Sequence, residues 1–434
     1  MKSVLILTLA CAGIGLAAHG QSTNMAMPLT LDEAKVIALH NHPQVAAADY
    51  RTLASKEVLT ETRSAYFPDA NLYGDAVGAS SEDARILAGG LNNPTVYNRL
   101  AGGATVSQLI TDFGHTYNLA ASSKYQLKAA ALNADATREQ VLLGVAVNYL
   151  GALQAQAILQ VAQQTLATRQ LLSDQVSMLA SNKLKSTLDV SFAQVAVQES
   201  ELMVEKASND AAASMAMLST ALGYPTLHIF DLREDGPQFI PHPQPLDDSS
   251  LVQEALVQRP ELLSLRSQNQ SAFSFAKAQR DARLPTLSAF GTLGSSPLHD
   301  YHLPNDYAVG GLELSFPLFA GGYYLAKQHE AEYRAKADAE LVRNLEDDIV
   351  RDVHIAWLNV NNAFEEIKTT AELVQTSTQA YELADARYKV GSSSIVELSE
   401  AQLNLTSAQI SDTNAHYNLL IQQANLQYQL GLMN

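Results

Sequence analysis

Three consecutive serines, Ser392 to Ser394, precede two glutamates spaced one helical turn apart, and this order could combine a nucleophile with a carboxylate partner. A nucleophilic serine also requires a positioned base and an oxyanion hole. The nearest histidines in the sequence, His354 and His416, would lie along helices far from this segment. A phosphate cradle would require the spacing of a P-loop and its lysine, and both are absent. We therefore predict no catalytic residue here, and a structural turn instead.

The segment from Arg387 to Gln402 has the residues of such a turn. Gly391 can end a helix in the left-handed conformation that glycine adopts readily. Ser394 can cap the following helix, and Ser394 with Glu397 fits the spacing of a capping box. Glu400 lies one turn further along the same helical face, and capping does not explain it.

Two pairs of histidines, His40 with His42 and His299 with His302, are candidates for metal binding. Neither pair has further ligands at the spacing of a zinc site. The only cysteine, Cys11, lies in an apolar run near the N-terminus, so the rest of the chain can form no disulfide and no cysteine-based metal site. We predict neither a metal nor a cofactor.

The chain of 434 residues carries 45 acidic and 28 basic residues, which gives a formal net charge of −17. So negative a balance argues against nucleic-acid binding, because that function requires clustered lysine and arginine. It fits an acidic vestibule that attracts cations, or an ordinary soluble surface.

The N-terminus is interpreted as a secretory signal peptide over residues 1–20. Lys2 precedes an apolar run from Val4 to Ala18, and small residues precede a cleavage site before Gln21. After this segment the sequence has no uninterrupted apolar run of about 18 residues, so we expect no membrane-spanning helix. A chain of this kind would enter a membrane only through β-strands.

The two halves of the chain resemble each other. ALHNHPQVAAA from Ala38 resembles ALVQRPELLSL from Ala255, and GGATVSQLITDFG from Gly102 resembles GGLELSFPLFAGG from Gly310. We infer that one unit has been duplicated, with its length differences in loop tips, where they are tolerated. The first repeat is placed at residues 21–230 and the second at 249–434. A connector rich in proline and charge joins them at 231–248.

Proline placement separates helices from strands. No proline occurs between Pro94 and Pro225 or after Pro317, and both regions have apolar residues at helical spacing. We predict long helices over about 113–180 and 321–389, each about 100 Å long at 1.5 Å per residue. Helices of that length suit a bundle or a tube. Shorter helices are predicted over about 31–65, 188–222, 249–282 and 395–430.

A β-hairpin is predicted in each half, at about 70–112 and about 286–319. GLELSFPLF, from Gly311 to Phe319, alternates apolar and polar residues, whereas its counterpart ATVSQLIT alternates poorly. Segments of about ten residues with one apolar face are the weak signal of a transmembrane barrel strand. Four strands cannot close a barrel, and an open edge cannot face lipid, so oligomerisation is expected. Three copies would supply twelve strands, which is within the range of known barrels.

In the order and duplication of these segments, the sequence resembles the TolC-like outer membrane efflux family. The resemblance covers nearly the whole chain after residue 20, and its sharpest segments are FPLFAGG, LKSTLDV and RYKVGSSSIVELSEAQ. It implies a mainly α fold with a β-barrel part, in which the long helical hairpins of three copies form an α-barrel that continues a twelve-stranded β-barrel.

The same resemblance implies a homotrimeric channel in the lipid of the outer membrane, with a periplasmic extension. Such channels dock to a periplasmic adaptor protein and to an inner-membrane transporter, which supplies the energy. The chain would then be a passive duct for efflux or type I secretion, gated at its periplasmic helix tips, and not an enzyme. It would bind no nucleic acid.

The resemblance also assigns roles to residues at two helix tips. It implies that Glu397 and Glu400 face the duct axis as acidic rings and form a gate with Tyr388 and Asp189. Six carboxylates around a narrow lumen would attract cations. The residues implied in docking the adaptor are Leu184, Ser186, Asp189, Val390 and Gly391.

Two residues depart from the family pattern at these tips. Ser393 stands where relatives can carry a basic residue that ties the tips together, which leaves Tyr388 and Asp189 to hydrogen-bond across the helix pairs. Lys183 stands where a glycine is expected, so the first tip is expected to be capped differently. Ser186 and Asp189 nevertheless repeat the capping-box spacing there.

Two alternatives stay open at the level of the sequence. Glu397 can cap its own helix or face a lumen, but it cannot do both at the same moment. The chain as a whole could instead be a soluble periplasmic coiled-coil scaffold, with its short strands in an ordinary sheet. Location in the outer membrane distinguishes the channel from the scaffold.

Overall fold

The computed structural model describes residues 27–78, 99–234, 248–298 and 305–433. The predicted signal peptide, most of the predicted connector and the histidines His299 and His302 lie outside these residues. The described part is mainly helical, with one four-stranded and one two-stranded sheet. The mainly α fold class with a smaller β part is therefore confirmed.

The helices of the two halves match in order and in length. The first half contains α1 (Leu31–Asn41), α2 (Pro43–Ser64), α3 (His115–Ser181) and α4 (Thr187–Ala221). The second half contains α5 (Ser249–Gln258), α6 (Pro260–Asp281), α7 (Tyr323–Lys389) and α8 (Ile395–Leu430). The long helices α3 and α7 have 67 residues each. The predicted duplication of long and short helices is confirmed.

The strands form two separate sheets. In chain order they are β1 (Met27–Leu29), β2 (Asp69–Val77), β3 (Arg99–Thr111), β4 (Phe230–Leu232), β5 (Thr286–Leu298) and β6 (Asp306–Ser315). β1 and β4 pair in parallel, and the other four strands form an antiparallel sheet in the order β2-β3-β5-β6. The prediction of four hairpin strands is confirmed, although β6 ends at Ser315 rather than at residue 319. Pro317, which has no N–H to donate to a ladder, accounts for the earlier end.

The two faces of the four-stranded sheet differ in polarity. Residues that pair directly across neighbouring strands lie on the same face, and alternate residues along one strand do too. One face carries exposed apolar side chains: Leu72, Val106, Leu293, Leu312 and Leu314. The opposite face carries mainly polar side chains, among them Asn71, Thr105, Ser107, Thr292 and Glu313. The sheet therefore presents a continuous apolar surface on one side only.

Each long helix packs against the shorter helices of its own half. α3 lies against α1, α2 and α4, and α7 lies against α5, α6 and α8. α6 and α8 also pack on α3, which joins the two halves. The buried core of the first half includes Val145, Tyr149, Leu218 and Leu222, and that of the second half includes Leu262, Ile349, Val353 and Leu430. The short helices thus cover the flank of the long one.

The opening helix of each half is broken where the sequence analysis predicted one continuous helix. α1 ends at Asn41 and α2 begins at Pro43, and α5 and α6 are separated in the same way before Pro260. Proline disfavours the helical conformation in the residue before it and cannot donate an N–H within a helix. The prediction of uninterrupted helices over 31–65 and 249–282 was wrong for this reason.

A glycine packs against each of these breaks. Gly223, with φ at +81°, follows α4, and a Cβ built on it would lie 2.8 Å from the backbone carbonyl of Asn41. Gly431 follows α8, with φ at +75°, and a Cβ there would lie 3.1 Å from the backbone of Arg259. The end of the last helix of each half is thus seated on the break in its first helix.

One stretch of α3 is apolar although it contains no uninterrupted apolar run of about 18 residues. α3 contains an 18-residue window with a mean hydropathy of 1.5. By length and composition alone, the helix is therefore apolar enough to cross a membrane. Inside the chain, 44% of that window is buried. Buried residues of α3, including Val145 and Tyr149, pack against α1 and α4. Packing within the chain accounts for part of the apolar character of the helix.

We expect Gly223→Ala to lower the midpoint of thermal unfolding, followed by helical circular dichroism. A left-handed residue with a Cβ costs about 1–2 kcal/mol, and the new Cβ would also press on the backbone of Asn41. Gly321→Ala is the matched control, because Gly321 has φ at +58° but nothing within 4 Å of a built Cβ. Equal losses in the two variants would show that the contact with Asn41 contributes nothing.

Candidate functional site at the helix tips

The turn between α3 and α4 and the turn between α7 and α8 lie side by side. One buried cluster joins the ends of all four helices, and it contains Val176, Ala193, Ala384, Tyr388, Ile395 and Leu398. The predicted site residues of both tips are therefore brought together at one end of the bundle. We call the turn at residues 182–186 the first tip and the turn at 390–394 the second tip.

The second tip is a tight helical connection. Gly391 follows α7 with φ at +76°, and the backbone N–H of Ser392 donates to the carbonyl of Arg387 at 2.9 Å. This bond satisfies a carbonyl group at the end of the helix, as in other helices that end at a glycine. The hydroxyl of Ser394 accepts from the backbone N–H of Glu397 at 3.2 Å and caps α8. The predicted turn is confirmed, with its serines in structural positions.

The first tip has the same backbone geometry without a glycine. Lys183 has φ at +59°, and the N–H of Leu184 donates to the carbonyl of Leu179 at 2.9 Å. The expectation that this tip would be capped differently was wrong, because Lys183 takes the left-handed conformation at a cost of about 1–2 kcal/mol. Ser186 and Asp189 form a complete capping box, with backbone–side chain bonds of 3.1 and 3.2 Å.

Glu397 does not complete the capping box that its spacing predicted. Its carboxylate accepts a hydrogen bond from the Ser393 hydroxyl at 2.7 Å and lies 3.0 Å from the guanidinium of Arg387. Only the Ser394 half of the capping box forms. The second half fails because Arg387, in the last turn of α7, offers the carboxylate a charged partner across the turn.

Glu400 lies one turn beyond Glu397 and is exposed. In the part of the chain that the structure describes, its carboxylate has no hydrogen-bond or ion-pair partner, whereas that of Glu397 has two. The two predicted gate acids therefore differ in their surroundings. Glu400 carries a charge that the described residues leave uncompensated.

Tyr388 lies between the two tips and is only 6% exposed. Burial, together with the negative charge of Asp189, raises the pKa of Tyr388. The two residues are near each other but are not hydrogen-bonded, since the Tyr388 hydroxyl has no partner among the described residues. The carboxylate of Asp189 bonds the backbone of Ser186 instead, so the predicted bond across the helix pairs is absent here.

Lys185 is a tip residue that the sequence analysis missed. Its ammonium group lies 4.1 Å from the centre of the Tyr388 ring, within the distance of a cation–π interaction. Lys185 occupies the position in the first tip that Ser393 occupies in the second. A basic residue therefore does connect the two tips, but it comes from the other repeat. Aligning the two repeats, which places Lys185 opposite Ser393, is the sequence signal that could have identified this residue.

Exposed apolar side chains lie at both tips. Leu184 is 69% exposed and Val390 is 78% exposed. Leu188, in the first turn of α4, is also exposed. Exposed apolar residues in a cluster mark a surface that another molecule can cover. Of the predicted docking residues, Leu184 and Val390 form this surface, whereas Ser186, Asp189 and Gly391 shape the turns beneath it.

Among the described residues, no three histidine, aspartate, glutamate or cysteine side chains lie close enough together to hold a metal ion. His42 has a structural position, since its ring nitrogen Nδ1 accepts from the backbone N–H of Gln44 at 3.3 Å and caps α2. Burial lowers the pKa of His42.

Comparisons with known proteins agree with this architecture. The sequence profile of the outer membrane efflux protein family matches residues 36–224 and 251–432, which together make up most of the chain. No curated protein sequence matches the chain.

Several solved structures have the same fold. A membrane protein from Pseudomonas aeruginosa superposes with a TM-score of 0.79 at 20% identity, over 92% of this chain and 93% of that one. The outer membrane protein VceC of Vibrio cholerae has a TM-score of 0.76 at 17% identity, over 92% and 96%. The open state of the MtrE outer membrane channel of Neisseria gonorrhoeae has a TM-score of 0.75 at 19% identity, over 93% and 89%.

Tyr388→Phe tests the environment of the buried hydroxyl. We expect an unchanged or higher midpoint of thermal unfolding, because a buried hydroxyl without a partner costs free energy that phenylalanine does not. Tyr388→Leu is the control, and it should lower the midpoint by removing the ring that packs at both tips. A lower midpoint for Tyr388→Phe would mean that the hydroxyl is bonded in the assembled protein.

Proposed function

This chain belongs to the outer membrane efflux protein family, and from that premise we propose that it is the outer membrane duct of a tripartite export system. The family match and the fold confirm the resemblance to TolC-like channels that the sequence shows. The family consists of efflux ducts rather than enzymes. In our proposal the chain works as a passive homotrimer without a cofactor.

The observation that carries this proposal is the four-stranded sheet with one apolar face and two open edges. β2 and β6 are the outer strands, and the described chain pairs neither of their outer edges. An open edge is not tolerated in hydrocarbon, where no water can satisfy the backbone groups. Three copies joined edge to edge would close twelve strands, with the apolar face toward lipid and the polar face toward a lumen.

The long helices supply the second part of the proposed duct. α3 and α7 leave the same end of the sheet, since α3 follows β3 and α7 follows β6. At 67 residues each, they reach about 100 Å from the sheet at 1.5 Å per residue. A predicted signal peptide supports export from the cytoplasm. We propose that these helices cross the periplasm as a trimeric α-barrel.

The tips are proposed as the gate. Glu397 and Glu400 would form acidic rings around the duct axis in a trimer, and Tyr388 and Asp189 would hold neighbouring helix ends together. Carboxylate rings favour cations over anions in a narrow pore. The net charge of −17 supports an acidic path, because repulsion between like charges would exclude anions along it.

The exposed apolar residues at the tips support a docking site for a periplasmic adaptor. Leu184 and Val390 point into solvent, and the turns beneath them are held by Ser186, Asp189 and Gly391. In this proposal the adaptor covers the apolar surface and links the duct to an inner-membrane transporter. The transporter supplies the energy, and the tip supplies a rigid surface for the adaptor.

The proposal is tested by locating and reconstituting the protein. It should fractionate with outer membranes, require detergent for extraction, and form cation-selective channels in planar bilayers of purified protein. Replacing Glu397 and Glu400 together with alanine should reduce the potassium-over-chloride permeability ratio, measured from the reversal potential in a salt gradient. Glu254→Ala, at a partly exposed helical position away from the tips, is the control and should leave the ratio unchanged.

One result would count against the duct, and another against its proposed gate. A soluble, monomeric protein in the periplasmic fraction would favour the coiled-coil scaffold instead. Channels with an unchanged permeability ratio in the double alanine variant would keep the duct but remove both glutamates from the gate.

A further inference from the structure

We propose that Arg387 controls how much of the acidic charge at the tips faces the lumen, because it holds Glu397 against its own helical hairpin. Glu400 then supplies the free carboxylate. This inference rests on the proposed function, since a lumen at the tips exists only in the assembled duct. It names a residue that determines selectivity and that the gate assignment does not include.

The contacts of Glu397 use both of its carboxylate oxygens. Oε1 lies 3.0 Å from Nη1 of Arg387, and Oε2 accepts the Ser393 hydroxyl at 2.7 Å. Arg387 also reaches the carbonyl of Ser392 at 3.4 Å, so its guanidinium spans the turn. The guanidinium and the hydroxyl together tie the first turn of α8 to the last turn of α7. We call this set of contacts the Arg387 latch.

The ion pair of the Arg387 latch favours the bound position of Glu397 only modestly, so Glu397 can also leave it. The side chains of Arg387 and Glu397 are 56% and 45% exposed, so water competes for both. Exposed pairs of this kind favour the paired state by a factor of about two to five. A carboxylate held by such a margin can be freed by a change in the neighbouring helix, and its charge would then become available to the lumen.

The first tip has no equivalent of the latch. Aligning the two capping serines, Ser186 and Ser394, places Leu179 at the position of Arg387 and Phe192 at the position of Glu400. Asp189, the counterpart of Glu397, bonds the backbone of Ser186. Only the second tip therefore combines a restrained acid with a free one, and three copies would present three of each.

The same helix provides a matched control. Lys389 lies two residues beyond Arg387 and pairs with Asp385 at 2.6 Å, within its own helix. It has the same charge as Arg387 and is similarly exposed, but it does not contact Glu397. The charges near the latch are thus Arg387, Lys389 and Lys185 on the positive side, and Asp385, Asp189, Glu397 and Glu400 on the negative side.

Planar-bilayer recordings of purified protein test the latch through selectivity. Arg387→Ala should raise the potassium-over-chloride permeability ratio about two- to fivefold, the margin by which the pair restrains Glu397. Lys389→Ala should raise it less. Glu397→Gln should lower the permeability ratio more in the Arg387→Ala background than in the native one. In the native background, Glu397→Gln should lower the ratio less than Glu400→Gln does.

Equal effects of Arg387→Ala and Lys389→Ala would overturn the latch, because charge alone would then explain both. The latch would also be overturned if Glu397→Gln lowered the permeability ratio equally in the native and the Arg387→Ala backgrounds. Arg387→Lys keeps the charge but not the planar guanidinium, and it should give an intermediate ratio. It serves if the alanine variant does not assemble.

Carboxyl footprinting with a carbodiimide and glycine ethyl ester tests the latch without requiring a channel. Mass spectrometry should show about two- to fivefold more labelling of Glu397 in Arg387→Ala, with Glu400 unchanged as the internal reference. If the protein forms no channels but this change occurs, the latch stands and the duct is overturned. If channels form but labelling of Glu397 does not change, the duct stands and the latch is overturned.

Discussion

The unpaired edges of the four-stranded sheet are the constraint on which the rest of the molecule depends. β2 and β6 each present a row of backbone N–H and C=O groups that the described chain leaves without a strand partner. Water can satisfy such groups, but hydrocarbon cannot, and each one left unsatisfied there costs several kcal/mol. Because the sheet also exposes a continuous apolar face, placing that face in lipid and pairing the edges must occur together. Assembly with further copies of the chain meets both conditions, and it places the helices of all copies around one axis.

The helices follow from the same arrangement. A long helix of 67 residues leaves the sheet in each half, and shorter helices cover its flank. The breaks before Pro43 and Pro260 pack against Gly223 and Gly431, so the same contact between a helix break and a glycine occurs in both halves. At the far end, the tips are held by hydrogen bonds within each turn and by a small apolar cluster. Ser186, Asp189 and Ser394 cap these helices. The carboxylate of Glu400 takes part in no such contact among the described residues, which leaves it available for function.

Much of this architecture could be predicted because single residues decide it. The long proline-free regions predicted the long helices, and the repeated segments predicted that each half has the same elements. Other features depend on three-dimensional contacts. The pairing of Arg387 with Glu397 exists only once the turn brings the two helix ends together, so spacing alone predicted a capping box. Lys183 takes a left-handed conformation because the packed helices on either side require that turn. The breaks before Pro43 and Pro260, by contrast, depend on local sequence alone, because proline disfavours the helical conformation in the residue before it.

Edge-to-edge pairing of β2 and β6 between copies is the central claim, and cysteine cross-linking tests it directly. The only native cysteine, Cys11, lies in the predicted signal peptide. One cysteine would replace Asn71 on β2 while a second is stepped along β6. Within one chain these strands are three strand spacings apart, about 14 Å at 4.8 Å each, and a disulfide requires Cα atoms closer than about 7 Å. The account predicts covalent products between chains at one register, in a ladder that ends at three chains. No cross-link at any register, or a ladder that ends at another number, would contradict it.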